Sequence, residues 1–417
     1  MTGSSAAIRY ESLDAIRGVA VMGILAMNIV AFALPTSAYF NPAAGGPPSP
    51  GDLATWAFNF VLVDSKMRGL FSILFGASTL LVIESATASG RSAAGTHYMR
   101  MAWLLLFGLA HYYFLWFGDI LSLYAVCGLL LFLFRNLSIR GLLIWAVAFL
   151  ALGLAWTAGV WAMFSAAQQG GLPPAAMEGM AEGLTQMQRE MGANSPGYAQ
   201  DIARYTGSYA SIVGYRTGEM VAGPLIQMMQ AFAETMGLML IGMALFKARM
   251  LTGEWDAARY RRWALICFAI STPVLALLVH FQMAHDFDAI AVFGASLSFS
   301  MPFDVLMAVG WAALIMLLIQ TRASDAVRAR LAATGRMAFT NYLVTTIVMT
   351  TIFYGYGLGL FGSVSRAGLY LFCFGMWAAM LLWSQPWLAR FHYGPLEWLW
   401  RSLSRLSLQP MRRTATA

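Results

Sequence analysis

Charge is the scarcest commodity in this sequence. Only 11% of its residues are Asp, Glu, Lys or Arg, where an ordinary soluble domain carries about 25%. A chain of 417 residues with so little charge cannot cover a water-facing surface, which excludes a string of soluble domains. Lysine is almost missing: Lys66 and Lys247 stand beside an otherwise all-arginine set of 26 basic residues. The formal charge of +7 is spread over short segments between apolar runs, so no solvated basic face exists for nucleic acid. Three cysteines, Cys127, Cys267 and Cys373, each lie alone in an apolar run, which excludes a disulfide framework and a zinc cluster. Five histidines leave little room for metal chemistry. His280 and His285, with Asp286 and Asp288, are the nearest approach to a ligand set, and a five-residue spacing suits one helical face poorly. No phosphate-binding loop, dinucleotide fingerprint, HExxH or nucleophile elbow is present. No metal is expected.

Apolar sequence is what the chain has in abundance. Hydrophobic residues make up 59% and mean hydropathy is +0.65. A membrane helix needs about 20 apolar residues, and runs of that kind predict an all-α polytopic bundle of about ten transmembrane helices over 16–34, 68–88, 99–118, 120–135, 141–164, 224–246, 263–283, 301–320, 338–358 and 367–389. The third and fourth are separated only by Gly118 and Asp119 and are expected to form a tight hairpin with one long helix running toward that acid. No pair of short or interrupted apolar segments marks two related halves. The first run follows Arg9 and Arg17 and resembles a secretory leader, but its full-span length marks an uncleaved helix. Placing the N-terminus inside puts roughly twenty of the 26 Lys and Arg on the cytoplasmic side, which predicts cytoplasmic termini and a bacterial inner-membrane location. Residues 390–417 then form a basic cytoplasmic tail. Residues 35–64 are expected to be an outer loop ending in an interfacial segment. Residues 166–222 are too polar to cross and are expected to form an outer helical insert.

Ionisable and amide side chains at membrane depth are costly and mark candidate sites. Asn28, His111, Glu234 and Asn341 lie inside apolar runs, Asp119 just beyond one, and Asp64, Lys66 and Arg68 at the outer edge of the second. Spacing places Asp119 within reach of the His111 imidazole, which a carboxylate can orient.

The stretches LDAIRG (13–18), SKMRGLFSILFGAS (65–78), GLAHYYFLWFGDILSLYA (108–125), GRMAFTNYL (335–343), FYGYGLGLFG (353–362) and GPLEWLWRSL (394–403) together resemble the YeiB-like family, known as domain of unknown function 418. The resemblance covers nearly the whole chain in order. More distantly the chain is similar to transmembrane acyltransferases of the heparan glucosaminide acetyltransferase and polysaccharide O-acyltransferase type. They share an Asp-x-x-Arg-Gly opening, here Asp14 to Gly18. That resemblance implies transfer of an acyl group from cytoplasmic acyl-CoA to a small-molecule, lipid or glycan acceptor outside. Asp14, Arg17, Arg100 and Arg336 would then serve a basic inner mouth, since guanidinium groups suit phosphates. The O-acyltransferases carry their catalytic His where this chain has Asn28, and residues 35–53 contain no His. An enzyme of this type must therefore draw its base from elsewhere. His111 as base, Asp119 as its orienting acid and Asn28 as an oxyanion donor form the candidate constellation. A small-molecule or lipid transporter using Glu234 and His111, or an envelope sensor, fits the same residues. Membrane lipids are the remaining expected partner, and the oligomeric state is open, a homodimer included.

Overall fold

The computed structural model describes residues 11–171 and 173–413. Arg9 and residues 414–417 of the expected tail lie outside the described residues, as does Leu172. The described chain is helical, in the order α1 (Glu11–Ala33), α2 (Thr36–Phe40), α3 (Pro50–Leu62), α4 (Lys66–Ala88), α5 (Ala93–Ala110), α6 (Leu121–Phe134) and α7 (Ile139–Gln168). The polar stretch that follows folds as α8 (Pro174–Met191), α9 (Tyr198–Tyr205) and α10 (Tyr209–Thr217). Then come α11 (Gly223–Lys247), α12 (Ala257–Ala284), α13 (Ala289–Phe293), α14 (Met301–Thr321), α15 (Asp325–Arg336), α16 (Ala338–Phe353), α17 (Leu369–Arg390) and α18 (Pro395–Ser404). Among the described residues there is one isolated β-bridge, between Phe391 and Arg412.

Seven helical stretches are long and apolar enough to cross a membrane: 11–33, 50–88, 139–168, 223–247, 257–284, 301–321 and 369–390. The polytopic helical bundle is therefore as expected. The remaining three expected segments coincide with α5, α6 and α16, and here the structure corrects two details. The helix from α5 does not run on to Asp119: it widens into a π turn over His111–Leu115, and Trp116 is fully extended (φ −160°, ψ 137°). Nor is α6 a full span, because its 14 residues rise only about 21 Å. The connection 116–120 is thus carried inside the protein, where Trp116 and Asp119 are buried. Breaks also precede two of the other apolar helices: a π turn at Gly294–Phe299 before α14, and Met337 between α15 and α16.

Small residues set the two closest helix crossings, as expected where packing rather than water drives association. A Cβ on Gly335 of α15 would lie 1.8 Å from the Asp14 carbonyl oxygen of α1, and one on Gly18 would lie 2.2 Å from that of Leu331. The same reciprocity joins α4 and α11, where a Cβ on Gly76 or Gly242 would lie 1.9 Å from the opposing backbone oxygen. Helix α1 is the most enclosed of the long helices, packing on α4, α14, α15, α16 and α17. At the periphery α7 exposes Leu143, Ile144, Trp145, Val147, Leu152 and Trp156, an apolar outer face suited to lipid. The 166–222 segment packs through α8 against α2 and α13, and through α10 against the π turn after α5.

Candidate functional site

The face of α1 that repeats every three to four residues carries Asp14, Arg17, Ile24, Asn28 and Phe32 in order. At its start Arg17 Nη1 donates to Asp14 Oδ1 and Nη2 to Ser78 Oγ on α4, both at 2.8 Å. One planar guanidinium thereby ties α1 to α4, while the Gly18–Gly335 crossing brings Arg336 alongside. These residues open a cavity of about 550 Å³. Its mouth carries Arg17, Arg91, Arg100, Arg336, Arg401 and Arg405 with His97 and His392. Its interior is apolar, lined by Ile24, Phe71, Leu74, Phe75 and Leu104, and it ends at Ile120, Leu121, Tyr124 and Tyr342.

Helix α18 folds back over this mouth. Arg100 stacks on the Trp400 ring at 4.0 Å, and the Trp400 indole donates to the Arg100 carbonyl at 3.0 Å. Arg336 donates to the His392 carbonyl at 3.2 Å. Glu397 accepts the Phe339 and Thr340 amides at 2.8 and 3.0 Å, so its carboxylate caps the first turn of α16. Burial pushes the Glu397 carboxyl above the usual range, against the pull of those donors.

Just beyond the apolar end of the cavity lies the second half of the arrangement. His111 and Asp119 are both buried, with His111 Nδ1 3.0 Å from Asp119 Oδ1. Asp119 also accepts from the Leu121 and Ser122 amides at 3.1 and 2.8 Å and from the Ser122 hydroxyl at 2.6 Å. The acid that caps α6 is therefore the acid that orients the imidazole. Since a carboxylate so supplied can only accept, Nδ1–H donates to it and Nε2 is left as the basic nitrogen, a tautomer assigned from this network. The Thr346 hydroxyl of α16 lies 3.0 Å from Nε2. Tyr342, which lines the cavity end, has its ring 5.2 Å from that of His111 and its hydroxyl 3.3 Å from the Gly118 carbonyl it donates to. One aromatic layer separates the cavity from the buried pair.

Asn28 lies one turn from the cavity residue Ile24 and one turn from Phe32, whose ring stacks on Trp116 at 3.9 Å. Trp116 in turn lies 6.3 Å from His111. No hydrogen bond joins Asn28 to His111 or Asp119 among the described residues. The structure thus gathers Asp14, Arg17, Arg100 and Arg336 around one cavity and places His111, Asp119 and Asn28 next to its closed end.

The other candidates lie apart. Arg68 Nη2 donates to both oxygens of Glu234 at 2.9 Å, bridging α4 and α11, while Lys66 Nζ lies 2.6 Å from Asp304 Oδ1. Neither Asp64 nor these pairs line the cavity. Asn341 spans the Met337 interruption: its amide donates to the Thr334 carbonyl at 3.1 Å and to Ser384 at 3.3 Å, and its oxygen accepts from the Trp383 indole. Glu234→Gln is expected to destabilise the protein by about 3 kcal/mol, because it strands a partly buried guanidinium. Replacing Arg68 and Glu234 together by Met should recover most of that loss in thermal unfolding in detergent. An unchanged unfolding temperature in the single variant would show the pair to be dispensable.

Thr346, Tyr342, Ser122, Ser78, Glu397 and Trp400 were not singled out from the sequence. Thr346 sits four residues beyond Tyr342 of the GRMAFTNYL stretch, hence on the same helical face. That spacing was the available signal.

Residues 245–407 match the family model described as "Protein of unknown function (DUF418)". Over 408 residues the chain is 32% identical to the uncharacterized protein YeiB of Escherichia coli (strain K12), covering 96% of this chain and 98% of that one. It is 31% identical over 415 residues to the uncharacterized protein YxaH of Bacillus subtilis (strain 168), covering 97% and 96%.

Proposed function

The chain belongs to the DUF418 family, and on that premise we propose that it is a bacterial inner-membrane acyltransferase with cytoplasmic termini, taking an acyl group from cytoplasmic acyl-CoA to an acceptor on the outer side. The observation that carries this reading is a cavity that opens among arginines and closes one aromatic layer from the His111–Asp119 pair. Six arginines at the mouth suit the phosphates of a coenzyme A donor, Arg17 and Arg336 foremost. Trp400 and Tyr393 offer rings at the same level, and the apolar interior suits a pantetheine arm and acyl chain.

In this reading Tyr342 swings aside to admit the thioester, and the acceptor displaces the Thr346 hydroxyl from His111 Nε2. Thr346 then keeps its second partner, the Tyr342 carbonyl at 3.3 Å. His111 takes the proton of the acceptor hydroxyl or amine as that atom bonds to the thioester carbonyl carbon. Collapse of the tetrahedral adduct breaks the carbon–sulfur bond, and the proton on His111 goes to the departing thiolate. Asp119 holds the imidazole in register and stabilises its charged form. The Asn28 amide donates to the oxyanion.

The test is sided transfer. Proteoliposomes are supplied with radiolabelled acetyl-CoA at the arginine face and envelope extract at the other. Label is expected in extract components only when protein is present, and its absence with active donor on the correct side would count against the reading. A second reading, transport of a small molecule or lipid, is favoured by the interruptions at 116–120 and Met337 beside the cavity. It predicts solute or lipid movement in the same vesicles with no acyl donor.

A further inference from the structure

We propose that Arg216 forms an outward-side receptor for an oxyanion, a carboxylate or phosphate carried by the acceptor. This inference rests on the acyltransferase reading for the word acceptor, while the anion site itself stands on independent observations.

Arg216 lies on α10, in the segment between α7 and α11, and is completely buried. A single hydrogen bond holds it: Nη1 donates to the Tyr112 carbonyl at 3.2 Å, in the π turn that begins at His111. Its Nε and Nη2 are buried and make no hydrogen bond. No carboxylate pairs with it among the described residues. The acids of this region are Asp201, Glu219 and Glu190; the two glutamates are exposed, and both oxygens of Asp201 are occupied, one by Arg204 at 3.2 Å and the other by the Thr36 amide at 2.9 Å. A buried guanidinium without a counter-charge is strongly disfavoured. Such a group becomes favourable once an anion accepts from its free edge, in the planar two-donor geometry that guanidinium offers.

The surroundings supply further donors. Tyr112, Tyr205, Tyr354 and Tyr356 all lie within electrostatic reach of Arg216. The Tyr354 hydroxyl is buried and unpartnered, like the Arg216 nitrogens. Tyr205 joins Tyr354 ring to ring at 4.9 Å and Phe117 at 5.9 Å. Phe117 follows Trp116, whose buried indole N–H also lacks an acceptor. The Arg216 nitrogens and the Trp116 indole can only donate, and the Tyr354 hydroxyl beside Arg216 is able to donate as well. Donors without acceptors describe an anion receptor.

The site is fastened to the catalytic turn. Tyr112 Oη donates to the Met220 carbonyl, Tyr113 Oη to that of Val221 and Tyr209 Oη to that of Phe114. An acceptor held by its anionic group at Arg216 is thereby placed next to the turn that carries His111, at a residue that does not line the arginine-rich cavity. The acceptor class that follows carries a hydroxyl or amine together with a nearby carboxylate or phosphate.

The experiment is thermal unfolding of the full chain in neutral detergent. Sodium phosphate is compared with sodium chloride at equal ionic strength, and micelles doped with phosphatidylglycerol with micelles doped with phosphatidylcholine. Wild type is expected to gain several degrees from the anionic probe. A response to inorganic phosphate assigns the site to a free anion, and one confined to phosphatidylglycerol assigns it to a lipid headgroup. Arg216→Gln should weaken the apparent affinity at least tenfold without lowering the unfolding temperature in chloride. Tyr354→Phe should weaken it severalfold, and this variant decides the matter where Arg216→Gln does not fold. Arg322→Gln, at an exposed arginine that does not line the arginine-rich cavity, should leave the response intact. No anion-specific shift in wild type, or a full shift in Arg216→Gln or Tyr354→Phe, overturns the proposal. Acetyl-CoA binding by Arg216→Gln should equal wild type. Loss of donor binding in wild type would sink the acyltransferase reading while leaving the anion response to be judged by itself.

Discussion

His111→Ala is expected to reduce acyl transfer by a factor of about 10² to 10⁴, the usual worth of a positioned general base. At 1.36 kcal/mol per decade this is about 3–5 kcal/mol of transition-state stabilisation. Donor affinity should not change, because His111 lies behind Tyr342 and does not line the cavity. Asp119→Asn should also slow transfer, since an amide can present its NH₂ to Nδ1 and turn the imidazole to the wrong tautomer. That variant also weakens the cap of α6, which Asp119 provides through two amides. His111→Ala has no such second effect and is the cleaner probe. Single-turnover transfer with preloaded acetyl-CoA separates chemistry from binding. An undiminished rate in His111→Ala would remove the base from the mechanism.

Arg17→Ala is expected to raise the dissociation constant for acetyl-CoA at least tenfold, equivalent to about 1.4 kcal/mol or more. Arg17 has two partners, Asp14 and Ser78, and both lie on the cavity wall. The guanidinium therefore fixes the α1–α4 wall and presents positive charge to the donor at once. Arg17→Lys should restore only part of the affinity, because an ammonium cannot reach both partners in one plane. Quenching of tryptophan fluorescence on donor addition, with Trp400 at the mouth as reporter, measures the change. Equal affinity in wild type and Arg17→Ala would relegate Arg17 to packing.

The sequence already revealed the polytopic bundle, because length and apolarity alone identify helices such as α1, α7 and α12. It was less informative about interruptions. Nothing in the composition of HYYFLWFGDILS distinguishes a continuous hairpin from a π turn and an extended tryptophan. The break arises from tertiary contacts, in which Tyr112, Tyr113 and Phe114 are bound by residues 209–221. The His111–Asp119 pairing was legible from spacing, though for a different reason: the turn, rather than a shared helical face, brings the groups together. Asp14 and Arg17 paired as their i, i+3 spacing suggests. Arg100 and Arg336 reached the same mouth through contacts no local pattern encodes, Trp400 for one and the Gly18–Gly335 crossing for the other. Thr346 and Arg216 were hidden for a related reason. A threonine in an apolar helix is ordinary, and an arginine in a polar segment looks solvated until its burial is seen.

The central claim is that the arginine-lined cavity takes an acyl-CoA donor, and calorimetric titration of the detergent-purified protein with acetyl-CoA tests it most directly. Saturable binding near one donor per chain, displaced by free coenzyme A, is the predicted result. No heat of binding at millimolar acetyl-CoA, from protein that unfolds cooperatively and is therefore folded, would contradict it.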